Sequence, residues 1–371
     1  MDALTFLKKT TELGASDLFI VAGLPLSYKK SGQLIELTSE RIMPEDTEIL
    51  IREIYSLAGN RDISHFLKTG DDDFSFAVSG LSRFRVNTYM QRSSMAAVIR
   101  VITFHLPNPS DLGIPPEIID LGTHNKGLVL VTGPAGSGKS TTLACIIDAI
   151  NSTMEKHIIT LEDPLEFLHS HKKSIVSQRE ICTDTENYIT ALRASLRQSP
   201  DVILLGEMRD YETMAVAMTA AETGHLVFST LHTLGAANTI DRIIDVFPPS
   251  QQRQIAVQLS SVLQAVVSQQ LVPDLTGGLT PAFEIMNTTP AIKNMIRDNK
   301  VHQIDGLIYS SSANGMLSMD NSLLRLYQQG VIDRQEALNH ASNPEMLAKK
   351  QLKKFRSFLS YIYFFIFTNF V

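Results

Sequence analysis

Residues 133–141, GPAGSGKST, follow the pattern G-x-x-x-x-G-K-[ST], which sets glycines around one lysine and one hydroxyl. Such a loop cradles a phosphate chain. Gly133, Gly136 and Gly138, with Pro134 and Ser137 between them, let backbone N–H groups turn inward at the start of a helix. Lys139 brings a point charge to the β and γ oxygens, Ser140 offers a hydroxyl to Mg2+, and Thr141 completes the helix start. An apolar run at 127–131 precedes the loop and the helical TTLACIIDAI follows it, the setting that a nucleotide site requires.

Three other segments place polar residues just beyond apolar runs. In IITLEDPLEF, Glu162 and Asp163 end an apolar strand, at the carboxyl edge where open α/β sheets bind ligands. Asp-Pro is also a common turn opener, so a capped loop is the competing reading. In DVILLGEMRD, Glu207 emerges past a buried run, the place for a carboxylate that holds Mg2+ through water or polarises an attacking water. His225 and His232 flank the apolar run of GHLVFSTLHT, and Ser229 and Thr230 close it. A single histidine is more often structural, yet this cluster is well placed to sense a γ-phosphate.

These segments need a scaffold. Short apolar runs alternating with helical patterns after residue 117 predict a parallel sheet wrapped by helices. Upstream, two-residue alternation with Ser-Gly turns at 31–32 and 79–80 predicts a smaller α+β domain with an antiparallel sheet. The boundaries follow as 1–103 for the first domain, 104–116 for a proline-rich linker, 117–345 for the second domain, and 346–371 for an unassigned tail. That tail passes from basic to aromatic, and its apolar part is shorter than the roughly 20 residues of a membrane span.

With 371 residues, 44% of them hydrophobic, the chain can bury a sizeable core. A net charge of −6 weighs against nucleic acid as a partner. Two cysteines, Cys145 and Cys182, exclude a four-cysteine zinc site and fit a reducing cytoplasm. No secretion signal heads the chain.

The four quoted segments resemble, in order, the Walker A, Asp, Walker B and His boxes of the secretion ATPase superfamily of type II and type IV secretion and type IV pili. Over residues 1–345 the chain is most similar to the pilus-retraction branch. The resemblance implies an α/β fold, a RecA-like P-loop ATPase domain preceded by a PAS-like α+β domain, assembled as a homo-hexamer that hydrolyses ATP with Mg2+. It implies a catalytic role for Glu207, with Glu162 as a second carboxylate near the metal and their roles interchangeable at this stage, and for His232 and His225. From RFRVNTYMQRSSMAAVIR it implies that Arg85 and Arg100 reach the phosphates bound by a neighbouring subunit. The segment 289–304, TPAIKNMIRDNKVHQI, resembles the retraction motif, with Ala291, Ile292, Met295, Ile296 and Arg297 in place. Lys293 and Asp298–Asn299 depart from the usual pattern.

Pilus retraction and twitching motility are therefore the expected output, on the cytoplasmic face of the inner membrane. The implied partners are a membrane platform protein and a paralogous motor. An accessory paralogue, a pilus or type II secretion assembly ATPase, and a conjugation-type DNA translocase are the alternatives.

Overall fold

In the first hundred residues the strands at 71–78 and 82–91 bury alternate side chains, as a sheet with one packed face demands. Helix α1 (Ala3–Glu12) is capped by Asp2, whose carboxylate accepts from the Leu4 N–H. It is followed by β1 (Asp17–Ile20), β2 (Pro25–Lys30), β3 (Gln33–Arg41), α2 (Pro44–Leu57), α3 (Ser64–Thr69), β4 (Asp71–Val78), β5 (Ser82–Gln91) and β6 (Ser94–Ile102). The six strands pair antiparallel in the order β3-β2-β1-β6-β5-β4. Phe74, Phe76, Phe84 and Val86 from the sheet meet Leu50, Ile51 and Ile54 of α2 in one core.

In the rest of the chain the strands at 127–132, 202–205 and 226–231 are buried on both faces and read as near-continuous apolar runs. The elements are α4 (Pro116–Ile119), β7 (Gly127–Thr132), α5 (Lys139–Thr153), β8 (His157–Glu162), β9 (Ile175–Glu180), α6 (Tyr188–Ser195), β10 (Val202–Leu205), α7 (Tyr211–Glu222) and β11 (Leu226–Leu231). Then come α8 (Ala236–Asp245), α9 (Pro249–Val262), β12 (Leu263–Pro273), β13 (Leu279–Asn287), α10 (Pro290–Arg297), α11 (Ile304–Ser310), α12 (Met319–Gln328) and α13 (Arg334–Asn339). The seven strands order as β13-β12-β7-β11-β10-β8-β9, and every pairing is parallel except that of β12 with β13. Alternate residues of one strand feed two cores: Leu128 and Leu130 face α6 to α10, while Val129 and Val131 face α4 and α5.

This computed structural model describes residues 2–30, 32–102, 106–310 and 315–349. It divides into two units: Met1–Leu106 with Pro164–Ser170, and Pro107–Asp163 with His171–Val371. The α/β class and the smaller antiparallel first unit are those expected. The stretch from Pro107 belongs to the second unit, where Ile114 is buried against the α5 core. From residue 350 onward the tail lies outside the described residues, as do residues 103–105 at the start of the expected linker.

Candidate functional site

Four neighbouring parallel strands, β7, β11, β10 and β8, all run the same way, so all four end on one edge of the sheet. Each ends in one of the segments singled out from the sequence. Beyond β7 comes the glycine loop, beyond β11 His232, beyond β10 Glu207, and at the end of β8 Glu162 and Asp163. Segments dispersed over a hundred residues are thereby placed strand beside strand, about 5 Å apart per step.

The loop is built on close approach. A side-chain carbon at Gly133 would stand 2.1 Å from the Gln269 carbonyl oxygen of β12, so only glycine fits there, at φ +143°. Gly136 and Gly138 also have positive φ, at 76° and 86°. Helix α5 then starts at Lys139 with no side chain capping its first turn, which leaves N–H donors aimed at the loop. Lys139 is buried, and its Nζ donates to the carbonyls of Gly133 and Pro134, each at 2.9 Å. The hydroxyl of Ser137 is buried without a partner, and Ser140 and Thr141 are partly exposed in the first turn. Uncapped N–H groups, a confined ammonium and an orphaned hydroxyl suit a phosphate chain. Beside them a cleft of about 490 Å³ runs between Thr141 and Thr142 on the loop side and the apolar Ile114, Leu271 and Pro281, walls suited to a nucleotide base. A larger cavity, about 610 Å³ between Leu234, Glu284, Asp305 and Asp320, contains none of the loop residues.

At the ends of β10 and β11 the polar groups are sewn together. Thr230 Oγ1 donates to the Gly206 carbonyl at 2.5 Å, and the Met208 N–H donates to the Thr230 carbonyl at 3.2 Å. Glu207 is thus fixed in direction, with its side chain only 15% exposed. Arg209 pairs with its Oε1, and His232 Nε2 lies 3.3 Å from its Oε2. Partial burial works against the charged carboxylate, but Arg209 and then His232 outweigh it and hold its pKa below the ordinary value. Glu162 is partly exposed and accepts from Gln178 Nε2 at 3.4 Å.

Other expected site residues lie elsewhere. His225 precedes β11 and so sits at the opposite edge from His232; its Nδ1 lies 2.9 Å from the Ala220 carbonyl. Two residues flanking one strand emerge on opposite edges, so within this chain only His232 of the two expected histidines lies beside Glu207. Arg85 and Arg100 are directly opposed on β5 and β6 of the first unit. Arg85 forks onto Asp73 at 2.7 and 3.2 Å, and Arg100 Nε reaches Asp17 at 3.0 Å. In α10, Ile292 and Ile296 are fully buried in the core and Met295 packs against it, whereas Ala291 and Arg297 face solvent.

Three residues here had not been singled out from the sequence. Arg209 stands two positions past Glu207, and an arginine beside an isolated strand-end carboxylate is a readable signal. Tyr188 opens α6 near the strand ends. Gln269, whose Oε1 accepts from Thr142 at 2.7 Å, is 127 residues away in the chain and gave no local signal.

Residues 4–340 match the family described as Type II/IV secretion system protein. The chain is 44% identical over 345 residues to the type IV pilus retractation ATPase PilT of Pseudomonas aeruginosa, which covers 93% of this chain and 99% of that one. A twitching motility protein of Neisseria gonorrhoeae is 47% identical over 277 residues, 74% of each chain. Among solved structures, the crystal structure of the pilus retraction motor PilT and bound ADP has a TM-score of 0.85 at 44% identity, over 94% of this chain and 99% of that one. With a match that runs across both units, the chain belongs to the type II/IV secretion system protein family.

Proposed function

We propose that this chain is a motor ATPase that hydrolyses MgATP to retract a type IV pilus, the movement behind twitching motility. The hydrolytic part is carried by one observation, the charged Glu207 held at the strand edge that also bears the glycine loop. The retraction part is supported by the near-full-length likeness to PilT.

In this reading Gly133, Gly136, Gly138 and the first turn of α5 bind the phosphates, with Lys139 neutralising the β and γ oxygens. Ser140, Glu162 and Glu207 offer one hydroxyl and two carboxylates, the hard oxygen donors that suit a Mg2+ keeping phosphate and water ligands. Bound there, the ion would supply charge neutralisation on the transferring phosphoryl group. Glu207 accepts a hydrogen bond from the attacking water, and His232 senses whether the γ-phosphate is present. Loss of that phosphate removes a contact that one arrangement of the subunits has and another lacks, and so shifts their populations.

The assembly proposed is a closed homo-hexamer in which Arg85 and Arg100 of one subunit serve the site of the next. Its partners would be a platform protein at the inner membrane and a paralogous motor, and its place the cytoplasmic face. Among the described residues no helix is long and apolar enough to cross a membrane.

ATPase assays test this reading directly. Lys139→Ala should reduce turnover about a hundredfold or more, and parent-like turnover would overturn the site. Mixing Lys139→Ala with Arg85→Ala subunits should restore activity at mixed interfaces; no recovery at any ratio would remove the shared arginine.

A further inference from the structure

Helix α6 begins beside the strand ends, and its first residue, Tyr188, reaches across them. The Tyr188 hydroxyl stands 2.7 Å from where a side-chain carbon on Gly206 would lie. The Leu161 carbonyl oxygen and the Glu162 Cα border the same point, at 3.4 and 3.5 Å. The hydroxyl therefore sits over the gap between the end of β8 and the end of β10, from which Glu162, Asp163 and Glu207 emerge.

The ring of Tyr188 packs against the core that includes Leu161, Leu192 and Leu205. The hydroxyl is different, because among the described residues no side-chain or backbone group hydrogen-bonds to it. The residue is partly exposed. A half-buried phenol in that state bonds to water. A tyrosine hydroxyl is a donor, and here it stands among the carboxylate-bearing strand ends.

We propose that Tyr188 is a positioning residue for hydrolysis: its hydroxyl fixes a water in the gap between the Glu162–Asp163 pair and Glu207. The proposal rests on the hydrolytic reading above. Tyr188 orients this water by hydrogen bonding and exchanges no proton with it. The same water accepts from Tyr188 and donates to Glu207, which leaves one of its lone pairs free. Gly206 is required in this arrangement, since any side chain there would displace the hydroxyl.

Steady-state ATPase of the full chain carrying Tyr188→Phe tests the idea, because the ring and its packing are kept. The expected result is a kcat about tenfold lower, with KM for ATP within about twofold of the parent and Tm unchanged. Gly206→Ala should lower kcat as well, and by a smaller factor once Tyr188→Phe has removed the clashing oxygen. Parent-like kcat for Tyr188→Phe, alongside an inactive Glu207→Gln, would overturn this inference and leave the hydrolytic reading standing. Parent-like turnover by Glu207→Gln would instead overturn the hydrolytic reading itself. A fall in Tm together with a raised KM would make the hydroxyl a packing element and would also overturn the inference.

Discussion

His232 Nε2 lies 3.3 Å from Glu207 Oε2, so the segment after β11 touches the carboxylate that follows β10. The contact joins two segments 25 residues apart in the chain. It gives the carboxylate a partner that reports on the neighbouring strand end. His232→Ala should lower kcat about 10–100-fold, the cost of a hydrogen bond to a charged group, and leave the nucleotide Kd nearly unchanged. Equal kcat in variant and parent would show that this contact has no part in turnover.

The retraction-motif helix α10 separates two roles by burial. Ile296 is fully buried, so Ile296→Ala should destabilise the second unit by about 2–4 kcal/mol. Arg297 faces solvent, and Arg297→Ala should change stability by less than about 0.5 kcal/mol. Thermal unfolding compares the two. Reduced twitching by the stable Arg297→Ala would assign the motif's function to its exposed side, whereas normal twitching would reduce α10 to a packing element.

Asp72 in the first unit gives a pH prediction. Tyr55 donates to it at 2.9 Å, and Arg61 forks onto it at 3.0 and 3.1 Å. Burial opposes its charge, but Arg61 and then Tyr55 prevail, and its pKa falls below the ordinary 3.8. A depressed folded pKa means stability that is present above the unfolded value and lost as pH drops through the folded one. Asp72→Asn should therefore cost about 2 kcal/mol at pH 7, and the gap to the parent should narrow below pH 3.8. Urea unfolding at several pH values checks this, and a gap independent of pH would contradict it.

Much of the site was legible because its chemistry is local. A strand followed at once by GPAGSGKS or by Glu207 carries both the position and the reactive group in one segment, and the order β7-β11-β10-β8 then aligns the segments. What the sequence left unseparated or unseen depends on distance. His225 and His232 look equivalent as flanks of one run, yet a strand sends its two ends to opposite edges. Gln269 reaches the glycine loop only because β12 pairs with β7. Tyr188 acquires its place only when α6 is laid beside Gly206. Which residues of α10 face solvent became readable only with the packed core in place.

The central claim, that hydrolysis at Glu207 drives pilus removal, is tested most directly by counting surface pili on cells whose only copy carries Glu207→Gln. Retraction predicts more pili than on the parent strain, since extension continues while removal stops. Bald cells would contradict the account and make this an assembly ATPase.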